Sequence, residues 1–241
     1  MNKIKITVII DDLNLVKKGY VKSFGIAIVI ELNKKIVLFD TGDSEPPLLS
    51  NLRAYGISPA SIDAVILSHN HNDHTDGLPG ILRENEDIPV YIHKDWDRPA
   101  SFKGFQVPSI NRVVIQKARE LNEVTSHLFI TNSYHSSDYG GIYEHACYIK
   151  AENSYILLCG CCHPGLNRFL EDREILGIPK NAPLHIIGGM HGFKFKEDEA
   201  KSLSSIVRSI VLFHCTMNEG IFKEQFGEKC QIGIVGKVMQ F

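Results

Sequence analysis

The sequence predicts a four-layer α/β sandwich, in which two β-sheets pack against each other and helices cover their outer faces. Two observations predict it: strand-like runs fall into two clusters along the chain, and helical runs follow the strands of each cluster. A chain of 241 residues is long enough to bury a large core. We therefore expect one domain over residues 1–241, with an insertion at about residues 94–141.

The first cluster is rich in β-branched residues, and its runs are bounded by Gly, Asn and Asp. Asn33-Lys34 predicts a tight hairpin turn. A helix over Pro47–Tyr55 is expected to end at Gly56, because glycine readily adopts the left-handed conformation of a helix C-cap. A second helix is expected over Leu78–Glu86. The expected strands are Ile4–Ile10, Phe24–Glu31, Lys35–Phe39, Ile62–Leu67 and Val90–His93.

The second cluster follows a segment, residues 94–141, that mixes short apolar runs with Pro, Ser and Asn and predicts only short elements. The expected strands are Ala146–Ala151, Tyr155–Cys159, Leu184–Ile187, Ser209–Phe213 and Gln231–Val235. The expected helices are Leu166–Leu176, Glu197–Ile206 and Ile221–Phe226.

Composition and charge narrow the classes of function. Apolar residues make up 44% and charged residues 22% of the chain, as in soluble globular proteins. The formal net charge is −2, and Lys and Arg are scattered, which disfavours a nucleic-acid surface because such a surface needs clustered positive charge. No apolar stretch approaches the roughly 20 residues of a membrane span. We expect a cytoplasmic protein that binds neither nucleic acid nor membrane and acts on a small molecule, with a phosphorylated substrate left open.

The six cysteines do not have the spacing of a zinc ribbon or a disulfide scaffold. We expect free thiols, with Cys147, Cys159 and Cys230 buried as small apolar residues. Cys161 is set apart from these by its position in a motif described below.

The segment Ser68–His74 carries the strongest chemical signal, because it places three histidines and one aspartate directly after an expected strand. His69 and His71 are two residues apart, so both rings project to one side of an extended loop and can hold one metal ion. Asp73 and His74 can face a second ion. A polar loop without metal would crowd three imidazoles with no cation to justify them. Zinc, with manganese or iron as alternatives, suits these ligands.

This segment, extended by Thr75-Asp76-Gly77-Leu78, resembles the signature of the metallo-β-lactamase superfamily, and Val37–Gly42 resembles that family's first motif. Three later segments resemble a subgroup called dihydropterin–ribofuranosylaminobenzene-phosphate synthase-like; they are Leu158–Gly165, Gly188–His191 and Phe213–Thr216. The subgroup's usual strings are Thr-Gly-Cys-Ser-His-Pro-Gly, Gly-Gly-Phe-His-Leu and His-Cys-Thr-Gly. The resemblance covers nearly the whole chain and implies the four-layer αββα metallo-β-lactamase sandwich.

The resemblance also implies a set of metal ligands. Site one would contain His69, His71 and His163, and site two would contain Asp73, His74 and His214, because His163 and His214 follow later strands. Asp40 would stand behind a ligand and orient its imidazole.

Two further residues have alternative roles. Hydrolases of the superfamily often carry a bridging Asp after the glycine of the fourth motif, where this chain has Cys161; its thiolate either binds metal or lines the pocket. His191 follows two glycines that allow close approach of a ligand. It would position a substrate phosphate or donate a proton, or it is an ordinary strand-end histidine.

These features predict a metal-dependent hydrolase with two divalent metal ions. A hydroxide held by the ions and oriented by Asp73 would attack an ester, lactone, thioester or phosphoester. One alternative is a transferase that condenses a pterin diphosphate with an aminobenzene ribofuranosyl phosphate. Others are redox or dioxygen chemistry at iron, and a ligand-sensing module without catalysis.

Overall fold

The computed structural model describes residues 3–13 and 15–241, so residues 1, 2 and 14 of the predicted domain lie outside the described residues. The strands of the first half are β1 (Lys5–Ile10), β2 (Leu15–Val16), β3 (Ala27–Leu32), β4 (Lys35–Phe39), β5 (Ala64–Ile66), β6 (Val90–His93), β7 (Arg112–Ile115), β8 (Arg119–Glu120) and β9 (Leu128–Ile130). Those of the second half are β10 (Tyr134–Ser136), β11 (Ile142–Glu144), β12 (Cys147–Lys150), β13 (Tyr155–Cys159), β14 (Leu184–Gly188), β15 (Val207–Leu212), β16 (Cys230–Ile232), β17 (Ile234–Val235) and β18 (Val238–Gln240). The α-helices are α1 (Glu45–Tyr55), α2 (Asn72–Thr75), α3 (Leu78–Leu82), α4 (Leu166–Glu171), α5 (Glu197–Ser204) and α6 (Glu219–Phe226).

Two seven-stranded sheets form the centre of the fold. The first has the order β18-β1-β3-β4-β5-β6-β7 and the second the order β16-β15-β14-β13-β12-β9-β8. One apolar cluster lies between the sheets and joins residues such as Phe39 of the first to Leu158 of the second. Two other clusters pack helices onto the outer faces, α1 and α3 on the first sheet and α4 to α6 on the second. The predicted four-layer αββα sandwich is therefore confirmed.

The strands that carry the chemistry run parallel. In the first sheet β4, β5, β6 and β7 are parallel neighbours, and in the second β13, β14, β15 and β16 are. Parallel strands end at the same edge of a sheet, which is where ligands bind in α/β folds. The loops that follow β5, β13, β14 and β15 therefore emerge together.

Several local predictions are confirmed because they rest on short-range chemistry. Asn33 and Lys34 have φ angles of 52° and 67°, as a two-residue hairpin turn requires. Helix α1 ends at Gly56, whose φ of 89° is left-handed. The predicted strands Lys35–Phe39 and Val90–His93 are β4 and β6 without change.

Other predictions were wrong in extent. The helix expected over Leu166–Leu176 ends at Glu171, because the carboxylate of the next residue, Asp172, is held by the backbone N–H of Asn132 and the hydroxyl of Tyr134. The helix expected over Leu78–Glu86 ends at Leu82.

The strand expected over Gln231–Val235 is interrupted at Gly233, where the chain passes close to a core aromatic ring. A Cβ at Gly233 would lie 1.5 Å from Cε1 of Phe213. The backbone approaches the ring so closely only because glycine has no side chain. The chain therefore leaves the second sheet after β16 and pairs in β17 with β2 instead.

The segment that the sequence assigns to an insertion contributes strands to both sheets. β7 pairs with β6 in the first sheet, and β8 pairs with β9 in the second. Its status as an insertion stays a prediction. Within residues 3–13 and 15–241, none of the helices combines the length and apolar character that a membrane span needs.

Candidate metal centre

Asp40 anchors both ends of the histidine-rich loop that follows β5. Its Oδ1 accepts the backbone N–H of Ser68 at 2.7 Å, and its Oδ2 accepts the Ser68 hydroxyl at 2.7 Å. The same Oδ2 lies 2.7 Å from Nδ1 of His74. Asp40 adopts a left-handed φ of 56°, which aspartate tolerates better than most residues. The predicted orienting role of Asp40 is consistent with this geometry.

The first cluster of donors consists of His69, His71 and His163, whose ring nitrogens lie within 4.8 Å of one another. Nε2 of His69 and Nδ1 of His71 are 3.1 Å apart, and Nε2 of His163 is buried without a hydrogen-bond partner. Burial lowers the pKa of His71 to about 4 and that of His163 to about 3. The rings are therefore neutral at pH 7, which is the form that binds metal.

The second cluster consists of Asp73, His74 and His214, again with donor atoms within 4.8 Å. Oδ2 of Asp73 lies 2.9 Å from Nε2 of His214 and 3.8 Å from Nε2 of His74. Burial opposes ionisation of Asp73, but the two histidines outweigh it and hold the pKa of this carboxyl far below its usual range. Asp73 is therefore a carboxylate at neutral pH.

Neighbouring carboxylates raise the pKa values of both histidines of this cluster. Burial lowers the pKa of His214, but hydrogen bonds to Asp12 and Asp73 raise it by more than burial lowers it. The resulting pKa is about 10. Burial likewise opposes charge on His74, and Asp73 and Asp40 raise its pKa on balance. Positive charge is thus stabilised where a metal ion would place it, and a metal ion bound to His214 would displace its proton.

Cys161 links the two clusters. Its Sγ lies 3.1 Å from Nε2 of His74, and it forms a group of donors with His69 and His74. The glycine before it, Gly160, makes the approach possible, because a Cβ there would lie 2.2 Å from the Ser68 hydroxyl. The thiol therefore faces the donors and not the core.

His191, the other candidate catalytic residue, lies beside the first cluster. Its ring centroid is 4.6 Å from that of His163, and its Nε2 is 4.0 Å from Oδ2 of Asp138. A hydrogen bond with Cys215 raises the pKa of His191, although burial lowers it. The side chain is 20% exposed, so that it can meet both the donors and solvent.

Sequence reasoning missed several residues that the structure brings to the site. Glu144 is fully buried and accepts the backbone N–H groups of Cys161, Cys162 and His163 at 2.9, 2.8 and 2.7 Å. Burial raises the pKa of Glu144 to about 7, against these three hydrogen bonds. No local sequence pattern identifies Glu144, because it is in β11 and its hydrogen-bond partners follow β13.

The other missed residues contact the histidines directly. Asp12 lies 2.5 Å from Nδ1 of His214, Asp11 accepts the backbone N–H of His214 at 2.6 Å, and Asp138 lies 3.2 Å from Nδ1 of His163. Asp11 and Asp12 could have been found from sequence, because they are two consecutive acidic residues directly after the first strand. Cys215 was a further signal, because it follows a predicted ligand directly.

A pocket of about 530 Å³ opens over both clusters. Its rim carries apolar side chains that are largely exposed, namely Phe24 (51%), Phe102 (66%), Tyr139 (46%) and Met217 (73%). Among the described residues that line the pocket there is no Lys or Arg. Any positive charge that the pocket offers to a negatively charged substrate must therefore come from histidines or bound metal.

The four-layer sandwich, with clustered histidines and carboxylates at one edge of its paired sheets, defines the class of metallo-β-lactamase-fold proteins. The comparison with protein families agrees. The chain belongs to the metallo-beta-lactamase superfamily, whose family model matches residues 23–147.

Similar proteins carry different activities. The chain is 27% identical, over 100% of its own length and 98% of the relative's, to the 7,8-dihydropterin-6-methyl-4-(beta-D-ribofuranosyl)-aminobenzene-5'-phosphate synthase of Methanocaldococcus jannaschii. A hydroxyacylglutathione hydrolase of Hamiltonella defensa is 35% identical over 71 residues, which are 30% of this chain and 27% of that enzyme. The crystal structure of a metal-dependent hydrolase of the beta-lactamase superfamily, Tm1679, matches with a TM-score of 0.73 at 22% identity, covering 99% of both chains. The predicted resemblance to the superfamily and its synthase-like subgroup is confirmed.

Proposed function

We propose that this protein is a metal-dependent hydrolase that binds two divalent metal ions and cleaves a small ester, lactone, thioester or phosphoester. One observation carries the proposal: two groups of three donors, His69/His71/His163 and Asp73/His74/His214, lie beside each other, and four of the six, His71, Asp73, His163 and His214, line one pocket.

The donors fit metal ions in both chemistry and state. His71 and His163 each keep a buried Nε2 without a hydrogen-bond partner, which is costly for a polar atom unless something binds there. Three neutral imidazoles suit zinc at site one, and Asp73 with two imidazoles suits zinc, manganese or iron at site two. When bound, such ions would lower the pKa of a water molecule and polarise the scissile bond.

The chain's own residues would orient and protonate the reactants. The ionised Asp73 projects into the pocket and can accept a hydrogen bond from the attacking water, which fixes its direction. His191 has a raised pKa and a partly exposed ring, so it can hold a proton and give it to the leaving group. Asp138, 4.0 Å from Nε2 of His191, would stabilise the charged ring before that transfer.

The pocket's lining favours an uncharged substrate within this class. Lys and Arg are absent from the described lining residues, whereas the rim is apolar. An ester, thioester or lactone with an apolar group matches these surroundings better than a phosphoester does. A chain with six cysteines and no disulfide among them is typical of a reducing compartment, which supports a cytoplasmic location for the enzyme.

A second candidate function is favoured by one observation, the full-length similarity to the archaeal synthase. In that case the protein would condense a pterin diphosphate with an aminobenzene ribofuranosyl phosphate, and the metal ions would hold the diphosphate. Release of diphosphate together with a coupled product would distinguish this transferase from a hydrolase.

The test is a hydrolysis screen with controlled metal content. The full-length protein would be stripped with a strong chelator, reloaded with zinc or manganese, and assayed on matched esters, thioesters, lactones and phosphodiesters. We expect hydrolysis that disappears on chelation, returns with metal, and is lost in His69→Ala but kept in His135→Ala, a surface histidine. Activity that survives stringent chelation would refute the proposal.

A further inference from the structure

We propose that Cys161 and Cys215 both supply thiolate ligands to the second metal site, which therefore takes a thiophilic divalent cation such as zinc or cobalt. The inference deepens the proposed metal-dependent function and rests on it. The inference adds Cys215 as a ligand. It also narrows the choice of metal, because imidazole and carboxylate ligands alone suit zinc, manganese and iron.

The position of the two thiols carries the inference. Sγ of Cys161, Sγ of Cys215 and a ring nitrogen of His214 lie within 4.8 Å of one another. Both cysteines line the pocket together with Asp73 and His214 of the second cluster. The Cys215 thiol makes a weak contact of 3.9 Å to the carbonyl oxygen of Cys161 and also faces His191, and neither contact buries its sulfur in the apolar core.

The backbone between the two cysteines is shaped to let them meet. Cys161 follows β13 and Cys215 follows β15, and the intervening strand β14 ends at Gly188 and is followed by Gly189. A Cβ at Gly189 would lie 3.0 Å from Sγ of Cys215 and 3.3 Å from Cα of Cys161. Any other residue at this position would therefore crowd the space that the two thiols share.

The neighbouring cysteine shows that this placement is specific. Cys162 is adjacent to Cys161 in sequence, but it belongs to the apolar cluster beneath the second sheet, together with Cys159. Its left-handed φ of 61° turns the chain, so that consecutive side chains point in opposite directions.

The donor set predicts different metal preferences at the two sites. Site one offers three neutral imidazoles, whereas site two would offer a carboxylate, imidazoles and two thiolates. Each thiol loses its proton to solvent when the ion binds, so the ligands bring a charge of −3 against the ion's +2. Thiolates favour zinc and cobalt over manganese and magnesium.

Cobalt reports thiolate ligands directly, because cobalt–sulfur bonds absorb in the near ultraviolet whereas cobalt–imidazole and cobalt–carboxylate bonds do not. The reduced, chelator-stripped protein would be titrated with Co²⁺ in the absence of oxygen. We expect a charge-transfer band that grows with filling of the second site. It should fall to about half in Cys215→Ser and in Cys161→Ser and vanish in the double variant, because each removes one thiolate.

Cys162→Ser is the matched control, since it removes a neighbouring buried thiol and should leave the band unchanged. The His69→Ala variant should lose cobalt from site one and keep the band. In the double serine variant, manganese should compete with zinc for site two better than it does in the wild type.

The outcomes separate this inference from the proposed function. If the wild type binds no cobalt by elemental analysis, both fail. If it binds cobalt and hydrolyses esters but Cys215→Ser keeps the full band, only the role of Cys215 fails. Formation of a Cys161–Cys215 disulfide in air, with no band in the reduced cobalt protein, would make the pair a redox couple and overturn the ligand assignment.

Discussion

Oδ2 of Asp40 lies 2.7 Å from Nδ1 of His74, and both side chains are completely buried. A carboxylate at this distance accepts the Nδ1 proton and directs Nε2 of the same ring toward Asp73 and Cys161. Such contacts fix the tautomer and the orientation of a metal-binding histidine. Asp40 thus couples the end of β4 to the second cluster of donors.

Asp40→Asn tests this coupling. Asparagine has the same shape and tolerates the left-handed φ of 56°, so we expect the fold to persist. The amide cannot replace every acceptor of the carboxylate, and the affinity of the second metal should fall by about 10- to 100-fold. Calorimetric metal titration would measure this, with Asp43→Asn in the adjacent loop as control. Equal affinities in Asp40→Asn and the wild type would contradict the role.

Glu144 supports the site from the end of β11. Substitution by Gln keeps the volume, but it places an NH₂ group against one of the three backbone N–H donors of Cys161, Cys162 and His163. We expect a loss of about 1–3 kcal/mol in the free energy of unfolding, since a buried donor loses its acceptor. Urea unfolding would measure it.

Glu152→Gln, in the exposed turn after β12, is the control for Glu144→Gln and should be neutral. The Glu144 variant should also bind the first metal more weakly, because the backbone of His163 is no longer held. A neutral result for both variants would mean that the three hydrogen bonds do not stabilise this loop.

The parts of the site that could be predicted from sequence are those encoded within a few residues. His69, His71, Asp73 and His74 lie within six residues directly after a strand of buried apolar residues, so their proximity follows from local geometry. Their later partners, His163 and His214, needed the additional premise of the family resemblance, which places the remaining ligands at the ends of later strands.

The missed residues depend on tertiary contacts between segments that no short pattern connects. Glu144 reaches its partners from the end of β11, in a hairpin with β10. Asp138 reaches His163 from the connection within that hairpin. The early end of α4 has the same origin, because Asp172 makes its hydrogen bonds to residues 40 and 38 positions away.

Gly25 allows two backbone segments to approach closely beside the site, its own and that of Asp73. Its φ is +92°, and a Cβ there would lie 1.9 Å from the carbonyl oxygen of Asp73. Gly25→Ala should therefore destabilise the protein by about 2 kcal/mol or more, and it should weaken the second metal site by displacing Asp73. Unfolding and metal titrations would test both effects.

Gly192→Ala is the matched control for Gly25→Ala, because no atom lies within 4 Å of its added Cβ. Stability within error of the wild type is expected for this control. Wild-type metal affinity in Gly25→Ala would show that the loop adjusts without moving the ligand.

His93 and His145 form a buried pair behind the metal site, with ring centroids 5.3 Å apart. Neither ring nitrogen of His93 has a hydrogen-bond partner, whereas Nε2 of His145 donates to the carbonyl of Leu67 at 2.8 Å. Burial lowers the pKa of both histidines to about 3. Both rings are therefore neutral in the folded protein at pH values where they would be charged in the unfolded chain.

The pair makes stability depend on pH with a definite sign. A histidine whose folded pKa lies below its unfolded value of about 6.5 contributes stability above pH 6.5 and loses it as the pH falls toward 3. For His93 alone, the expected loss in the free energy of unfolding between pH 7 and pH 5 is about 2 kcal/mol. His93→Phe keeps an aromatic ring beside Trp96 and cannot titrate, so its stability should fall less over this interval, by about that amount. Urea unfolding of both proteins with chelator present, so that metal and protons do not compete at the ligands, would measure the difference, with the surface variant His135→Phe as control. Parallel stability curves for the wild type and His93→Phe would show that His93 is not held neutral by burial.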